Sequence, residues 1–353
     1  MTSDLPIIAG IGSVTPYGPL GGLIPQRPIE PSVITAWPTA GVRRAFLVNP
    51  FRPASVVPGL KTRRLDRLSA WALVASALAI KDAGIDLTQE DRSRVVVVFA
   101  SGLGCVELTE DFYRSAAAHG WSGTDPSTFP ETLANAPASH VAIVNGLRGP
   151  NITLSSKGIA GECALIQASL LLRYGQADLA IVLAGDTLTR TVYEWYEAAG
   201  LLSPSCFNSE PALEADGFIP SEGVTALVLA AAGRWSRTGP VRSYAILGSG
   251  HWADGRQPAN VIRKALDGSV ASLVICAGDG SPFAAHPTAA YVREVAGDGV
   301  AIAPPNAVAA GLANTSALLH LILALGGATS SGQALLLGRS GGGGFAAIRL
   351  ELP

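Results

Sequence analysis

The segment that decides the fold of this chain reads Gly149-Pro150-Asn151-Ile152-Thr153-Leu154-Ser155-Ser156-Lys157-Gly158. A Gly-Pro turn, a short alternating strand and a tight turn lead straight into a long apolar helix. Enzymes present a nucleophile in this way at a helix N-terminus, where free backbone N–H groups and the helix dipole stabilise an anion. The last residue of the turn is Gly158, so the segment predicts the frame of a nucleophile site without its nucleophile.

A repeated unit surrounds this segment. Gly158 opens an apolar helix that is followed by a strand and Gly185, and Gly311 opens a second apolar helix that is followed by a strand and Gly338. The two glycines of each pair are 27 residues apart. Helices that are apolar on nearly every side belong at the centre of a layered domain. The repeat therefore predicts two similar halves with paired central helices.

The rest of the chain alternates predicted strands and helices, which indicates an α/β fold. We expect strands at 6–14 and 94–100, and helices at 65–83, 107–117 and 130–145. The breaker-rich stretch 16–53 is predicted to consist of loops.

The opening segment closely resembles the active-site turn of the β-ketoacyl synthases, in which the residue at Gly158 is the acyl-accepting cysteine. Further stretches resemble the same family in the same order, namely Ile8–Gly18, Arg64–Gly84, Ala134–Pro150, Asp216–Gly223 and Gly341–Phe345. The resemblance implies an α/β fold, a thiolase-like five-layer αβαβα sandwich of two duplicated halves. We expect residues 1–232 to form the N-terminal half and residues 233–353 the C-terminal half of one compact unit.

The resemblance also implies that the family's catalytic residues are lost. Its first catalytic histidine corresponds to Ala277, its lysine to Ala303 and its second histidine to Val308. Decarboxylative condensation needs a thiolate to hold the acyl chain and donors to stabilise the enolate. Gly158, Ala277, Ala303 and Val308 supply neither, so we expect no condensation by this chain alone.

A ketosynthase-like chain without these residues resembles the chain length factor of type II polyketide synthases. That resemblance implies a non-catalytic subunit that pairs with an active ketosynthase as a heterodimer, forms part of the acyl tunnel and sets polyketide or polyene chain length. The implied partners are this ketosynthase and an acyl carrier protein, whose phosphopantetheine arm carries the substrate; no cofactor of the chain's own is implied. Chain length factors of aromatic pathways commonly carry glutamine at the position of Gly158. The product class therefore stays open between an aromatic polyketide and a reduced polyene.

One helix face is the candidate for the tunnel wall. Val106, Thr109 and Tyr113 lie on one side of the helix after Gly104. The resemblance implies that side chains here close the acyl tunnel at the dimer interface and limit chain extension, with Tyr113 the principal stop. Ordinary packing of core or interface residues is the alternative interpretation.

The composition excludes several functions. With 25 Lys and Arg against 27 Asp and Glu, the chain has no electrostatic basis for binding nucleic acid or an anionic membrane. Only 15% of residues are charged, against roughly 25% in ordinary globular domains, which predicts a surface covered by another subunit. Four cysteines and five histidines show no metal or disulfide spacing. We expect a cytoplasmic protein without a membrane span or metal.

Other candidate sites favour ordinary packing. Cys163 lies five residues beyond Gly158 in the predicted helix, about 7.5 Å deeper, and Ser155 and Ser156 have no nearby histidine. Gly10-Ile11-Gly12 lacks the third glycine of a dinucleotide loop. The role of Lys157 stays open.

Two alternative functions remain. In the first, the chain is a stand-alone acyl-thioester-binding or regulatory homodimer. In the second, it is an enzyme of altered chemistry on the same fold.

Overall fold

The computed structural model describes residues 5–24, 27–37, 43–202, 217–233, 244–252, 258–277, 292, 294–295, 300–303, 306–327, 332–340 and 344–352. Asp216 and residues 341–343, which belong to segments that carry the resemblance, and residues 278–282, which follow Ala277, lie outside these described residues. No helix within them is long and apolar enough to cross a membrane.

The described strands are β1 Ile7–Thr15, β2 Gly18–Gly21, β3 Ser32–Val33, β4 Arg44–Ala45, β5 Val95–Ala100, β6 Asn151–Leu154, β7 Leu179–Asp186, β8 Gly223–Ala230, β9 Tyr244–Trp252, β10 Leu273–Ala277, β11 Ala301–Ile302, β12 Gly332–Arg339 and β13 Phe345–Leu352. The α-helices are α1 Pro53–Val56, α2 Arg67–Ala83, α3 Val106–His119, α4 Ala136–Asn145, α5 Ala160–Arg173, α6 Arg190–Ala198, α7 Pro258–Leu266, α8 Ala307–Ala310 and α9 Ser316–Gly327. Short 3₁₀ helices cover Arg92–Arg94, Trp121–Gly123, Phe129–Thr132 and Lys157–Ile159.

The sheet repeats one strand pattern twice. Its order is β11-β10-β12-β13-β9-β1-β8-β7-β5-β6, with β2 paired to β1. In each half two parallel pairs (β6-β5-β7 and β11-β10-β12) are followed by two antiparallel pairs (β7-β8-β1 and β12-β13-β9). The halves meet where Ile7 pairs with Ala245 and Ile8 with Tyr244. This internal symmetry confirms the predicted duplication.

Five layers follow from the packing of the core. The central cluster contains side chains of α5 and α9 together with the inward faces of β5, β7 and β8 from one half and β10, β12 and β13 from the other. A second cluster joins α2 and α4 to the outer face of the first half. A third joins α7 to the outer face of the second half. The predicted αβαβα sandwich is therefore present.

Local signals set the bounds of the best-predicted helix. The Asp66 carboxylate accepts a hydrogen bond from the Leu68 amide at 2.8 Å and caps α2, and Gly84 ends it in the left-handed conformation at φ 67°. Gly10 and Gly12 of β1 lie against the backbone of α2, where a Cβ on Gly12 would stand 2.2 Å from the Ala75 carbonyl oxygen. These two glycines therefore serve close packing of helix on strand.

Two predicted helix starts are wrong. The helix expected at 130–145 begins at Ala136, because Phe129–Thr132 forms a separate 3₁₀ turn before Pro137 enters the first turn of α4. The second central helix begins at Ser316 instead of Gly311. Ala313 adopts a left-handed backbone conformation with φ 42°, which interrupts the helix between α8 and α9.

Candidate functional site

The predicted nucleophile turn lies at the N-terminus of central helix α5. The 3₁₀ turn Lys157–Ile159 connects β6 to α5, and Lys157 has φ 49°. Gly158 is buried, and a Cβ built on it would stand 3.0 Å from the Ser340 Cα atom and 3.2 Å from the Arg339 carbonyl oxygen. A side chain at 158 would therefore point at the C-terminal end of β12.

Ala277, the first predicted lost histidine position, lies next to the same end of β12. It pairs in register with Gly338 across parallel strands β10 and β12. Its methyl group is buried in the central cluster. Because Gly338 is followed by the two residues that lie against Gly158, the structure brings Ala277 and Gly158 to one end of the central layer.

The other two predicted positions are apolar packing residues. Ala303 follows β11 and donates its backbone N–H to the Val274 carbonyl at 2.7 Å, and it packs at the margin of the central cluster. Val308 is buried within α8 in the same cluster. Apolar side chains in these environments offer neither a proton nor a charge, although their assignment as lost catalytic positions rests on the resemblance.

The sequence analysis missed Glu162, which is 1% exposed in the first turn of α5. Its Oε1 atom is buried and has no hydrogen-bond partner among the described residues. Burial raises the pKa of the Glu162 carboxyl to about 8, against a smaller opposing effect of its own backbone amide. One signal was available, because Glu162 is the only charged residue between Gly158 and Leu172.

A second buried carboxylate, Asp186, joins the two halves at the ends of β5 and β7. It accepts hydrogen bonds from the Ser101 hydroxyl at 2.6 Å and from the Gly102 and Leu103 amides at 3.0 and 2.9 Å, and lies 3.4 Å from the Thr315 hydroxyl. Burial raises its pKa to about 6 despite these donors. Asp186 is fully partnered, which identifies it as a structural link between the loop after β5 and the start of α9.

The predicted tunnel residues line helix α3, none of whose 14 residues is buried. Val106 packs at the edge of a cluster with α6. The Thr109 hydroxyl donates to the Cys105 and Thr132 carbonyls at 2.7 and 3.1 Å. Tyr113 is 59% exposed, and its ring lies 6.2 Å from that of Trp121. Val106 and Thr109 are therefore half-buried, and Tyr113 is exposed.

The three cysteines in the described residues, Cys105, Cys163 and Cys276, are poor nucleophiles in this environment. Burial raises the pKa of Cys105 and Cys276 to about 12, and it also raises that of Cys163. No group of three or more metal-binding side chains is found in the described part of the chain.

Two histidines are accounted for by packing. The His140 Nε2 atom lies 2.9 Å from both Glu131 carboxylate oxygens, which ties α4 to the 3₁₀ helix Phe129–Thr132. His320 is buried in α9, and burial lowers its pKa to about 4, so its ring is neutral.

Comparison with known proteins adds a family match. The model of the beta-ketoacyl synthase N-terminal domain matches residues 29–233. The 3-oxoacyl-acyl-carrier-protein synthase 2 of Vibrio cholerae is 28% identical over 194 residues, which are 53% of this chain and 47% of that protein. The chain thus spans about half the length of the curated relatives it matches.

Solved structures cover the chain more completely. The ishigamide ketosynthase/chain length factor superimposes with a TM-score of 0.76 at 21% identity and covers 99% of both chains. A beta-ketoacyl synthase from Burkholderia phymatum gives a TM-score of 0.82 at 18% identity, covering 99% of this chain and 100% of that one. These likenesses show that the chain has the thiolase-like ketosynthase fold.

Proposed function

Because this chain belongs to the β-ketoacyl synthase family, we propose that it is a chain length factor. In this role it is a non-catalytic subunit that pairs with an active ketosynthase, forms part of the acyl tunnel and sets the length of a polyketide or polyene chain on an acyl carrier protein. The observation that carries the proposal is Gly158, which stands at the helix N-terminus where the family nucleophile is expected.

The surroundings of Gly158 support a non-catalytic role. A ketosynthase must hold the acyl group on a thiolate and stabilise an enolate with hydrogen-bond donors. Ala277 and Val308 are buried methyl-bearing side chains, and Ala303 packs beside them. Cys163 does not replace the nucleophile, because burial raises its pKa and thereby suppresses the reactive thiolate.

An uncovered apolar face supports pairing with another subunit. No side chain of α3 is fully buried, Ile143 on α4 is 71% exposed, and β6 lies at the edge of the sheet. Exposed sheet edges and large exposed apolar side chains are normally covered in a folded assembly. A partner seated on α3, α4 and β6 would cover the exposed Tyr113 and Trp121 as well, which supports the interpretation that Val106, Thr109 and Tyr113 border the proposed interface.

The proposal is tested by the native mass of the chain co-expressed with an active type II polyketide ketosynthase from the same organism. A one-to-one complex, with aggregation of the chain alone, supports the chain length factor. Ile143→Lys should weaken that complex, whereas Val270→Lys, at an exposed site before β10, should leave it intact. A stable homodimer that ignores the ketosynthase contradicts the proposal and favours a stand-alone acyl-thioester-binding protein.

A further inference from the structure

Glu162 is the only charged residue on the helix that leads away from Gly158 until Arg173. It belongs to the first turn of α5, where side chains lean back toward the helix N-terminus. Glu162 is four positions after Gly158, which corresponds to about one helical turn. A carboxyl group therefore lies in the interior within about one turn of Gly158, the position at which the family resemblance puts the nucleophilic cysteine.

The space that holds this carboxyl exists because residue 338 is a glycine. A Cβ atom built on Gly338 would coincide with the Glu162 carboxyl, so glycine at 338 is what admits the side chain. Gly338 pairs in register with Ala277 on the neighbouring strand, and paired strands lie about 4.8 Å apart. The Glu162 carboxyl thus fills the region beside the position where the family resemblance puts a histidine.

The carboxyl and Gly158 share one wall. Gly338 contacts Glu162, and the next two residues of the chain, Arg339 and Ser340, contact the site of a Cβ on Gly158. The end of β12 therefore closes both the turn and the carboxyl pocket.

The Glu162 carboxyl has an unused hydrogen-bonding atom. Oε1 is buried without a partner among the described residues, a situation that costs about 1–3 kcal/mol relative to a satisfied group. With its pKa raised to about 8 by burial, the group is a neutral acid at pH 7 and has a proton to donate. Its natural complement is a carbonyl oxygen, which accepts without bringing a buried charge.

We propose that Glu162 is a binding residue that donates a hydrogen bond to a carbonyl oxygen of a β-keto acyl thioester lodged at the N-terminus of α5. The proposal rests on the proposed function for the identity of the ligand. No bond forms or breaks, and the proton stays on Glu162. The carboxyl thereby orients the acyl chain in a site that has no nucleophile.

Several other titratable groups lie near α5, and the role of hydrogen-bond donor to the ligand is assigned to Glu162. Lys157 and Cys163 lie on the same turn and helix, Asp186 on β7, His320 on α9 and Arg339 on β12. Asp186 is held by its own donors, and His320 is neutral. Glu162 contributes to the raised pKa of Cys163, and no ion pair to the Glu162 carboxylate is found among the described residues.

The test uses the purified chain, in its ketosynthase complex where one forms and alone otherwise, with acetoacetyl-N-acetylcysteamine as the probe. Infrared difference spectra identify the protonated Glu162 carbonyl as the band missing in Glu162→Gln. We expect this band at pH 7 and a shift to lower frequency when the probe binds. We expect probe affinity to fall about five- to tenfold in Glu162→Leu, the value of one hydrogen bond. Glu162→Gln, which retains a donor, should bind nearly as the wild type does.

Affinity should also decline as pH rises through about 8, since an ionised carboxylate cannot donate, and Glu162→Gln should remove this decline. Glu351→Gln, the same change at an exposed site of β13, is the matched control. Absence of the protonated band, absence of probe binding or equal affinity of Glu162→Leu would each overturn the proposal. Pairing with the ketosynthase is measured separately by native mass, so failure of the proposed function is distinguished from failure of this one.

Discussion

Gly161 of α5 and Ala317 of α9 bring the two central helices into direct contact. A Cβ atom on Gly161 would stand 3.0 Å from the Ala317 methyl and 3.1 Å from Leu318 Cδ1. The helices cross at a point where both side chains are minimal, and Gly161 directly precedes Glu162 in the chain. The geometry of the central layer, and of the carboxyl pocket within it, therefore depends on this small-residue contact.

Enlarging Gly161 should destabilise the fold. Gly161→Val would force its methyl groups into Ala317 and Leu318, and overpacking of this kind costs about 1–3 kcal/mol. Gly21→Val is the control, because a Cβ there meets only ordinary contacts at 3.6 Å or more. Urea denaturation of both variants checks the prediction. Equal stability of the two would contradict close packing at the helix crossing.

Restoring the nucleophile should not restore catalysis. In Gly158→Cys the new Cβ would lie 3.0 Å from Ser340 Cα, so a small shift of the end of β12 admits it. Ala277 and Val308 still provide no proton donor, so we expect no condensation product from acyl and malonyl thioesters on acyl carrier protein. Mass spectrometry of the carrier-bound products measures this, with Gly158→Ser as the control. Any condensation by the single Cys variant would refute the assignment of four lost positions.

The elements of the fold that could be predicted from the sequence are those with a strong local sequence pattern. The apolar segments around Gly158 and Gly311 indicated paired central helices, because a helix apolar on every side has no solvent face. The start at Ser316 was missed, since the left-handed Ala313 carries no glycine or proline signal. The five layers could be inferred from the repeat, but the join between halves at Ile7 and Ala245 depends on long-range pairing that no periodicity encodes.

The candidate site could be predicted from the sequence only at Gly158, where the expected nucleophilic side chain is missing. Gly158 drew attention because the turn around it lacks a nucleophile, whereas Glu162 was passed over. Its significance comes from Gly338, 176 residues away in the sequence, whose missing side chain makes room for the carboxyl. A single sequence does not reveal such a contact between distant segments.

The stability of the chain should decline with pH because of Glu162. Burial raises the carboxyl pKa from 4.5 to about 8, so the folded state binds this proton more tightly than the unfolded state does. The contribution to stability is complete below about pH 4.5 and is lost as pH rises through about 8. Since each pKa unit corresponds to about 1.4 kcal/mol, the loss is on the order of 5 kcal/mol.

Glu162→Gln stays neutral and should lack this decline. The difference in unfolding free energy between the two proteins, measured by urea titration from about pH 5 to pH 9, cancels the parallel contributions of Asp186 and His320. We expect the stability of the variant relative to the wild type to increase from about pH 5 to about pH 8 and to level off above it. A constant difference would mean that Glu162 is ionised in the folded state throughout.

Side-chain volume along α3 should control product length if the helix borders the acyl tunnel. Val106→Trp should shorten the products of the reconstituted ketosynthase complex, and Tyr113→Ala should lengthen them, because the first fills and the second empties the space beside α3. Val270→Trp, at an exposed site before β10, is the control for a surface tryptophan. Product distributions from mass spectrometry check both signs, with native mass confirming that each variant still pairs. Two changes of opposite volume that leave the distribution unaltered in an intact complex would show that Val106 and Tyr113 serve packing alone.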